Sequence, residues 1–530
     1  MTPPRYLGNE AAQTALNCPI WKGSLQPIKG ALALSPSPLT KSGNIKSIYR
    51  FGQTQTNELN YWFHWTTDVD VVQGFVAGDT TERTYFTGDG NPKVTDSTLA
   101  LTGGGNLYPI AAYDLGVPKP TVAPSTAKTG TANANTTSET RVYTYTHVNS
   151  FGEESAPFAA TSMASSTEDV FPGESVVVTL PTASITNFNV TKKRIYRSAQ
   201  GTANTAFLFV AEVTLATATF TDALDGDDLN EVLPSLTWLQ PPSTLKGLVG
   251  MPNGVMAGFS GNDVYFSEPF RPFAWPLQYV QTVGYPIVGL GVIDTTLVVL
   301  TKGRPYFIQG SHPDSSVMVE ADINQACISK RSIVSMNNNV FFASPDGVVA
   351  LSPGGSSIIT ESLFDKETWQ AQSPDDLLAC MYESQYVGFF DATSGNGGFV
   401  YDMKQKTWNF HNVYVTGAYN DLKNDSLYII QNNELSKWDS GTDLTYTWKS
   451  KKFTFPEPKF FACYRVQAEA YPVTTKIYKD GVEIVNLSVT DDKLRRLPAG
   501  LGTAWEFQLE GNKEVYNVQL AQTPQELNQG

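Results

Sequence analysis

Catalysis needs side chains that carry protons, metals or electron pairs at workable spacings, and this sequence offers few. Its four histidines, His64, His147, His312 and His411, are scattered, with no two at a metal-ligand interval. All fall in predicted strands or turns, where an imidazole serves packing or a hydrogen bond. Cys18, Cys327, Cys380 and Cys463 are too sparse for a disulfide framework or a zinc site and read as free, mostly buried thiols. There is no G-x-S-x-G elbow, no G-x-x-x-x-G-K-[ST] loop and no H-E-x-x-H helix. The densest acidic run, TDALDGDDLNE, holds Asp222, Asp225, Asp227 and Asp228. Calcium is the ion such carboxylates would take, but the spacing misses the EF-hand template and lacks its closing glutamate, which favours a solvated turn. The segment Tyr401–Trp408, YDMKQKTW, has the outline of an Asp-box without its Ser-x-Asp-x-Gly core, so Trp408 is expected to pack between blades. No catalytic, cofactor-binding or metal residue is predicted, and no cofactor.

The elements that would position any such group are strands. Trp62–Pro92 alternates apolar and polar residues, is rich in aromatics and ends in Gly-Asp-Gly-Asn-Pro, the pattern of half-buried strands and a turn. The chain has 530 residues, of which 41% are hydrophobic and 12% aromatic, enough for several folded cores. Glycine (42) and proline (32) are plentiful and helical periodicity is scarce, so the fold class is mainly β. The 37 basic against 51 acidic residues leave a net charge of −14, which argues against a protein that grips DNA phosphates but not against one that DNA passes. No apolar run approaches ~18 residues, so no membrane insertion is expected. The N-terminal MTPPRYLGNEAAQ lacks the layout of a signal peptide, and assembly in cytoplasm is expected.

Pro-rich chain at Leu115–Pro124 marks a boundary. Regular short strands follow (Glu174–Pro181, Lys192–Ala199, Ala206–Thr214, Ala216–Asp222), predicting a fibronectin III- or Ig-like β-sandwich inserted at 118–242. From 243 to 452 the chain repeats. Leu248, Val288, Ile333, Leu378 and Val415 recur at intervals of 40, 45, 45 and 37 residues, each with a hairpin turn and a further strand behind it. A period of ~40–50 residues is that of β-propeller blades. Five units are visible, and Trp62–Thr87 is expected to supply one more across the sandwich, giving about six blades. Residues 453–530 form a C-terminal β unit with a Lys-Asp-Gly hairpin turn.

Several segments together resemble the tail nozzle (tail tubular protein B-like) family of short-tailed phages, the podoviruses. They are Leu16–Gly30, Trp65–Val72 with Asp79–Gly88, Ala111–Pro120, FSEPFRPFAWP at Phe266–Pro276, RRLPAG at Arg495–Gly500, Trp505 and Val518–Leu527. Their order spans nearly the whole chain. The resemblance implies a virion structural protein without enzymatic activity. It implies a homohexameric tube that docks on the tail adaptor ring, bears tail fibres or a tail plug or needle, and conducts double-stranded DNA during ejection without binding it specifically. Residues 1–117 would then combine platform strands with the first propeller segment, and 453–530 would complete the platform. The lumen and interaction residues stay unknown. The tip Thr393–Gly398 is a candidate gate and equally an ordinary hairpin. Two other expectations stay open: an adhesin that binds host-surface glycan through the sandwich, and a propeller glycosidase with carboxylates and arginines at the propeller mouth.

Overall fold

The computed structural model describes residues 12–19, 23–52, 56–133, 135–158, 165–182, 185–199, 206–229, 231–361, 363–392 and 395–528. Short strands dominate because β-branched and aromatic residues alternate with polar ones between turns, and burial follows that alternation. In Glu174–Thr179, for example, Val176 and Val178 are fully buried, and Val177 between them is not.

Among the described residues, five four-stranded antiparallel sheets, four strands of a ten-stranded sheet and one two-stranded sheet form a closed ring, a β-propeller. In chain order, blade 1 pairs Ser47–Arg50 with Trp62–Trp65, and blade 2 runs from Asp70–Gln73 to Tyr113–Asp114. Blade 3 runs from Lys246–Gly250 to Gln281–Thr282, blade 4 from Ile287–Ile293 to Val317–Glu320, and blade 5 from Val334–Met336 to Gly355–Ile358. Blade 6 runs from Leu378–Tyr382 to Thr407–His411, and blade 7 contains Gly417–Asp421, Ser426–Gln431 and Glu434–Lys437. From blade 2 round to blade 7 and on to blade 1, the first strand of each blade lies against the first strand of the next. Blades 1 and 2 meet through Trp65 against Phe86, with ring centroids 5.3 Å apart, and through Ser47 Oγ, which accepts from the Val69 N–H.

The N-terminal chain closes the ring. Leu32–Ala33 pairs with Glu434–Lys437 as the fourth strand of blade 7. Trp62 of blade 1, fully buried, stands edge-on to Tyr428 at 4.8 Å and to Tyr419 at 5.9 Å. Arg50 donates to Asp421 across the same seam at 2.7 Å, with both side chains almost fully buried. The stretch Trp62–Thr87, expected to form one unit, therefore divides between two. The chain turns at Thr66–Asp68, so Trp62–Trp65 belongs to blade 1 and Asp70–Thr87 to blade 2.

Between blades 2 and 3 lies a sandwich of two sheets. One contains Thr167–Val170, Glu139–Asn149, Val190–Ala199 and Ala206–Thr214, and the other Thr219–Asp222, Glu174–Thr179 and Ser125–Gly130. Tyr143, Tyr145, Val176, Val178 and Ile195 fill the space between them. The C-terminal unit is a second β layer around Tyr446, Val466, Ile477 and Trp505. Its Lys479–Val482 hairpin turns through Asp480 (φ +48°) and Gly481 (φ +82°), two left-handed residues as a tight two-residue turn requires. Ala12–Leu16 stitches it to the ring, lying parallel to Thr407–His411 of blade 6 and antiparallel to Tyr446–Ser450. Among the described residues, no helix is long and apolar enough to cross a membrane.

Candidate functional site

The connector from blade 4 to blade 5 crosses the propeller axis and meets most of the ring. Cys327 N–H donates to Thr301 of blade 4, and Ser329 Oγ donates to the Leu377 carbonyl at the start of blade 6. Ser332 Oγ accepts from Ala343 N–H of blade 5, and the Ser332 carbonyl accepts from Tyr386 Oη of blade 6. Arg331 donates from Nη2 to the carbonyls of Lys46, at the entrance to blade 1, and Thr416, at the entrance to blade 7. Lys330 reaches the far side, with Nζ 2.7 Å from Asp70 Oδ2 of blade 2 and 3.0 Å from Asp68 Oδ2 in the turn that leads into it. Glycines make room for this crossing. A Cβ on Gly289 would meet Ile333 at 2.4 Å, and one on Gly417 would meet the Lys46 carbonyl at 2.6 Å.

The Lys330–Asp68–Asp70 cluster borders a cavity of about 260 Å³ lined by Asp70, Gly247, Val249, Gly289, Lys330 and Ser335 among others. Burial pushes the Asp70 carboxyl above the ordinary carboxylate range, although Lys330 pulls against that shift. Burial also works against the Lys330 ammonium, but Asp70 and Asp68 outweigh it and hold its pKa above the usual lysine value. Asp70 Oδ2 accepts from the Gly247 N–H as well, at 3.1 Å. The two carboxylates share one cation of the same chain, so the arrangement pins blade 2 to the connector.

Replacing Lys330 with Met is expected to cost roughly 1–2 kcal/mol, less than for a fully buried pair because water still reaches the cluster. Chemical denaturation would measure it. The deficit should shrink as pH falls and the stranded carboxylates take up protons. A variant as stable as its parent at neutral pH would remove the pinning role.

The histidines stay apart. His64 is fully buried in blade 1, where its Nε2 accepts from the N–H groups of Thr40 and Lys41 and its Nδ1 lies 3.0 Å from the Trp62 carbonyl. Burial lowers its pKa to about 4. His411 is buried against Phe389 and Trp438 in blade 6, and burial lowers its pKa to about 3. His147 sits 2.8 Å from the Pro118 carbonyl in the sandwich, and His312 accepts from the Asp314 N–H at a short 3-10 turn. None of the four cysteines is in a disulfide, and Cys18, Cys327 and Cys463 are buried.

The acidic run is split by the fold. Asp222 points inward, 2.7 Å from Arg197 Nη1 and 2.7 Å from Tyr143 Oη, while Asp225, Asp227 and Asp228 are exposed. Among the described residues, no group of three or more His, Cys, Asp or Glu is placed to hold a metal ion. Trp408 packs within its own hairpin, 4.4 Å from Tyr401 and 5.2 Å from Phe399, with centroid distances given. It also joins the shared core of blades 5 and 6. Residues 393 and 394 of the candidate gate lie outside the described residues.

Asp68 and Asp70 fall in Trp65–Val72, a stretch that carries the family resemblance but no role of its own in the sequence, and Lys330-Arg331 stands outside every motif read there. An Asp-x-Asp at strand spacing puts both carboxylates on one face, and a basic pair in an inter-blade connector is the complementary signal. Nothing local ties the two together.

No protein-family model matches the chain, and no curated protein matches it. Among solved structures, it is similar to a quinonprotein alcohol dehydrogenase-like protein from Bacteroides thetaiotaomicron, with 9% identity over 76% of this chain and 96% of that one and a TM-score of 0.29. It is similar to BamB from Moraxella catarrhalis, with 13% identity over 55% and 91% and a TM-score of 0.26. It is also similar to PorZ of Porphyromonas gingivalis, with 12% identity over 95% and 83% and a TM-score of 0.26.

Proposed function

We propose that this chain is a structural subunit of a ring-shaped virion assembly, the tail nozzle of a short-tailed phage. The observation that carries the reading is the closed axis. Lys330–Ser332 span the propeller centre, and the polar groups there are engaged by the chain itself. The propeller then acts as a solid building block. A DNA duplex would have to pass between subunits, through a lumen built by the assembly, rather than through any one propeller. The stitched N-terminal strand and C-terminal unit suit a subunit that carries load between an adaptor ring and fibres or a plug. With a net charge of −14, a carboxylate-lined lumen would let phosphate slide. Screening limits such repulsion to ~8 Å at physiological salt, so that lumen must be narrow. In this reading the chain is not an enzyme, needs no cofactor, assembles in host cytoplasm and resides in the virion tail.

Negative-stain images of the purified chain, alone and with its adaptor ring, are expected to show sixfold rings with an open centre. A chain that stays monomeric at micromolar concentration in both preparations would overturn the assignment.

A further inference from the structure

The motif FSEPFRPFAWP has no part in the axis or the ring closure, and the fold holds part of it in a costly form. Phe270 has φ +59°, a left-handed conformation that a bulky residue rarely adopts. Its N–H donates to the Gly254 carbonyl at 2.7 Å, and a Cβ on Gly254 would come within 2.5 Å of its ring. Yet Phe270 is 58% exposed, its ring covering Gly254 and standing edge-on to Phe75 at 6.3 Å. A strained aromatic held out toward solvent is not explained by core packing.

Phe270 stands at the rim of a cavity of about 330 Å³ where blade 3 meets the inserted sandwich. Beside it, the Arg271 guanidinium lies 4.8 Å over the Trp238 ring, and Arg271 has no carboxylate partner among the described residues. The sandwich supplies two buried carboxylates to the lining. Glu153 is held by Arg83 at 3.1 Å and by Asn149 at 2.7 Å. Glu154 is held by Arg194 at 2.9 Å and by Tyr196 and Thr146 at 2.7 Å each. These partners fix the carboxylates while leaving lone pairs for hydroxyl donors. An open aromatic face, fixed acceptors and one uncompensated guanidinium make a complementary set.

We propose that this cavity binds a carboxylated sugar, a hexuronate or sialate unit of an acidic glycan. The apolar face of the sugar ring would stack on Phe270, its carboxylate would pair with Arg271, and its hydroxyls would donate to Glu153 and Glu154. The volume is at the small-ligand end of binding pockets, large enough for one or two rings. The assignment goes beyond the nozzle reading and does not depend on it, since the site is complete within one subunit.

The test is calorimetric titration of the full chain with N-acetylneuraminate and with D-glucuronate, using N-acetylglucosamine and glucose as uncharged controls. An acidic sugar should bind, with its control weaker by about tenfold, the weight of one charge-assisted pair. Arg271→Ala should remove that preference, Arg271→Lys should restore part of it, and Phe270→Ala should weaken all binding. Unchanged thermal unfolding of Arg271→Ala would show that the loss is local. Failure of both acidic sugars to bind, or equal binding by Arg271→Ala, would overturn the proposal. So would Arg271-dependent binding of tetra-aspartate in preference to the sugars, which would make the site a protein contact.

Discussion

On acidification the protein should begin to lose stability near pH ~6, above the range in which unperturbed carboxylates titrate. His64 and His411 are held neutral by burial, with pKa values lowered to about 4 and about 3. In the unfolded chain both return to the ordinary value near ~6.5. Below that pH the unfolded state binds more protons than the folded one, so stability is complete above ~6.5 and falls as pH drops toward the two folded values. At 1.36 kcal/mol per unit, His64 accounts for roughly 3 kcal/mol and His411 for roughly 5 kcal/mol once the fall is complete. Either is a large share of the ~5–15 kcal/mol that holds a domain folded. The structural cost is visible at His64, whose Nε2 is the acceptor for two backbone N–H groups and cannot accept once protonated. Because His64 lies in blade 1 beside the Trp62–Tyr428 seam, the ring closure should open first. Denaturant midpoints between pH 7 and 4 check this, with His411→Leu flattening the acid limb. A profile level from pH 6.5 to 4.5 would refute it.

Asp222→Ala should be the most damaging single change in the sandwich. Arg197 and Asp222 are both wholly inaccessible to solvent, and the Asp222 carboxylate accepts from Arg197, from Tyr143 Oη and from the Leu224 N–H. Removing it strands a guanidinium in the core, where a broken buried pair costs about 3–5 kcal/mol. Among the described residues, Arg197 Nε and Nη2 have no partner, so only the Leu224 carbonyl, 2.8 Å from Nη1, remains to hold the charge. The double variant Arg197→Met with Asp222→Leu should be more stable than Asp222→Ala alone, because no charge is left unpaired. Limited proteolysis should cut Asp222→Ala first within 125–222 while the propeller resists. A single variant within about 1 kcal/mol of its parent would show that the bridge is dispensable.

Much of the architecture was legible because strand patterning is local. Tyr306–Gln309 and Gly347–Ser352 are among the further strands that follow the recurring positions of the repeat, and the sandwich strands lie between residues 118 and 242. Ile333 and Val415 precede their strands by one or two residues, displaced by the connectors that cross to the axis. The acidic run misled for a physical reason. Spacing alone does not tell a carboxylate turned into a core from its neighbours in water, and Asp222 is turned in while Asp225 and Asp227 are not.

By itself the sequence determined that this chain is built of short strands, where its tight turns lie, and that a sandwich interrupts a repeating array. Those features follow from side-chain alternation and from residues such as Asp480 and Gly481, whose backbone preferences act within a few positions. Tertiary structure alone decided the partners. Leu32–Ala33 completes a blade some four hundred residues away, and Lys330 meets Asp70 across 260 positions to close the axis. Phe270 and Arg271 gained a cavity only when the sandwich brought Glu153 and Glu154 beside them. Such pairings depend on which faces pack together around the ring, and that follows from burying every core at once rather than from any local segment.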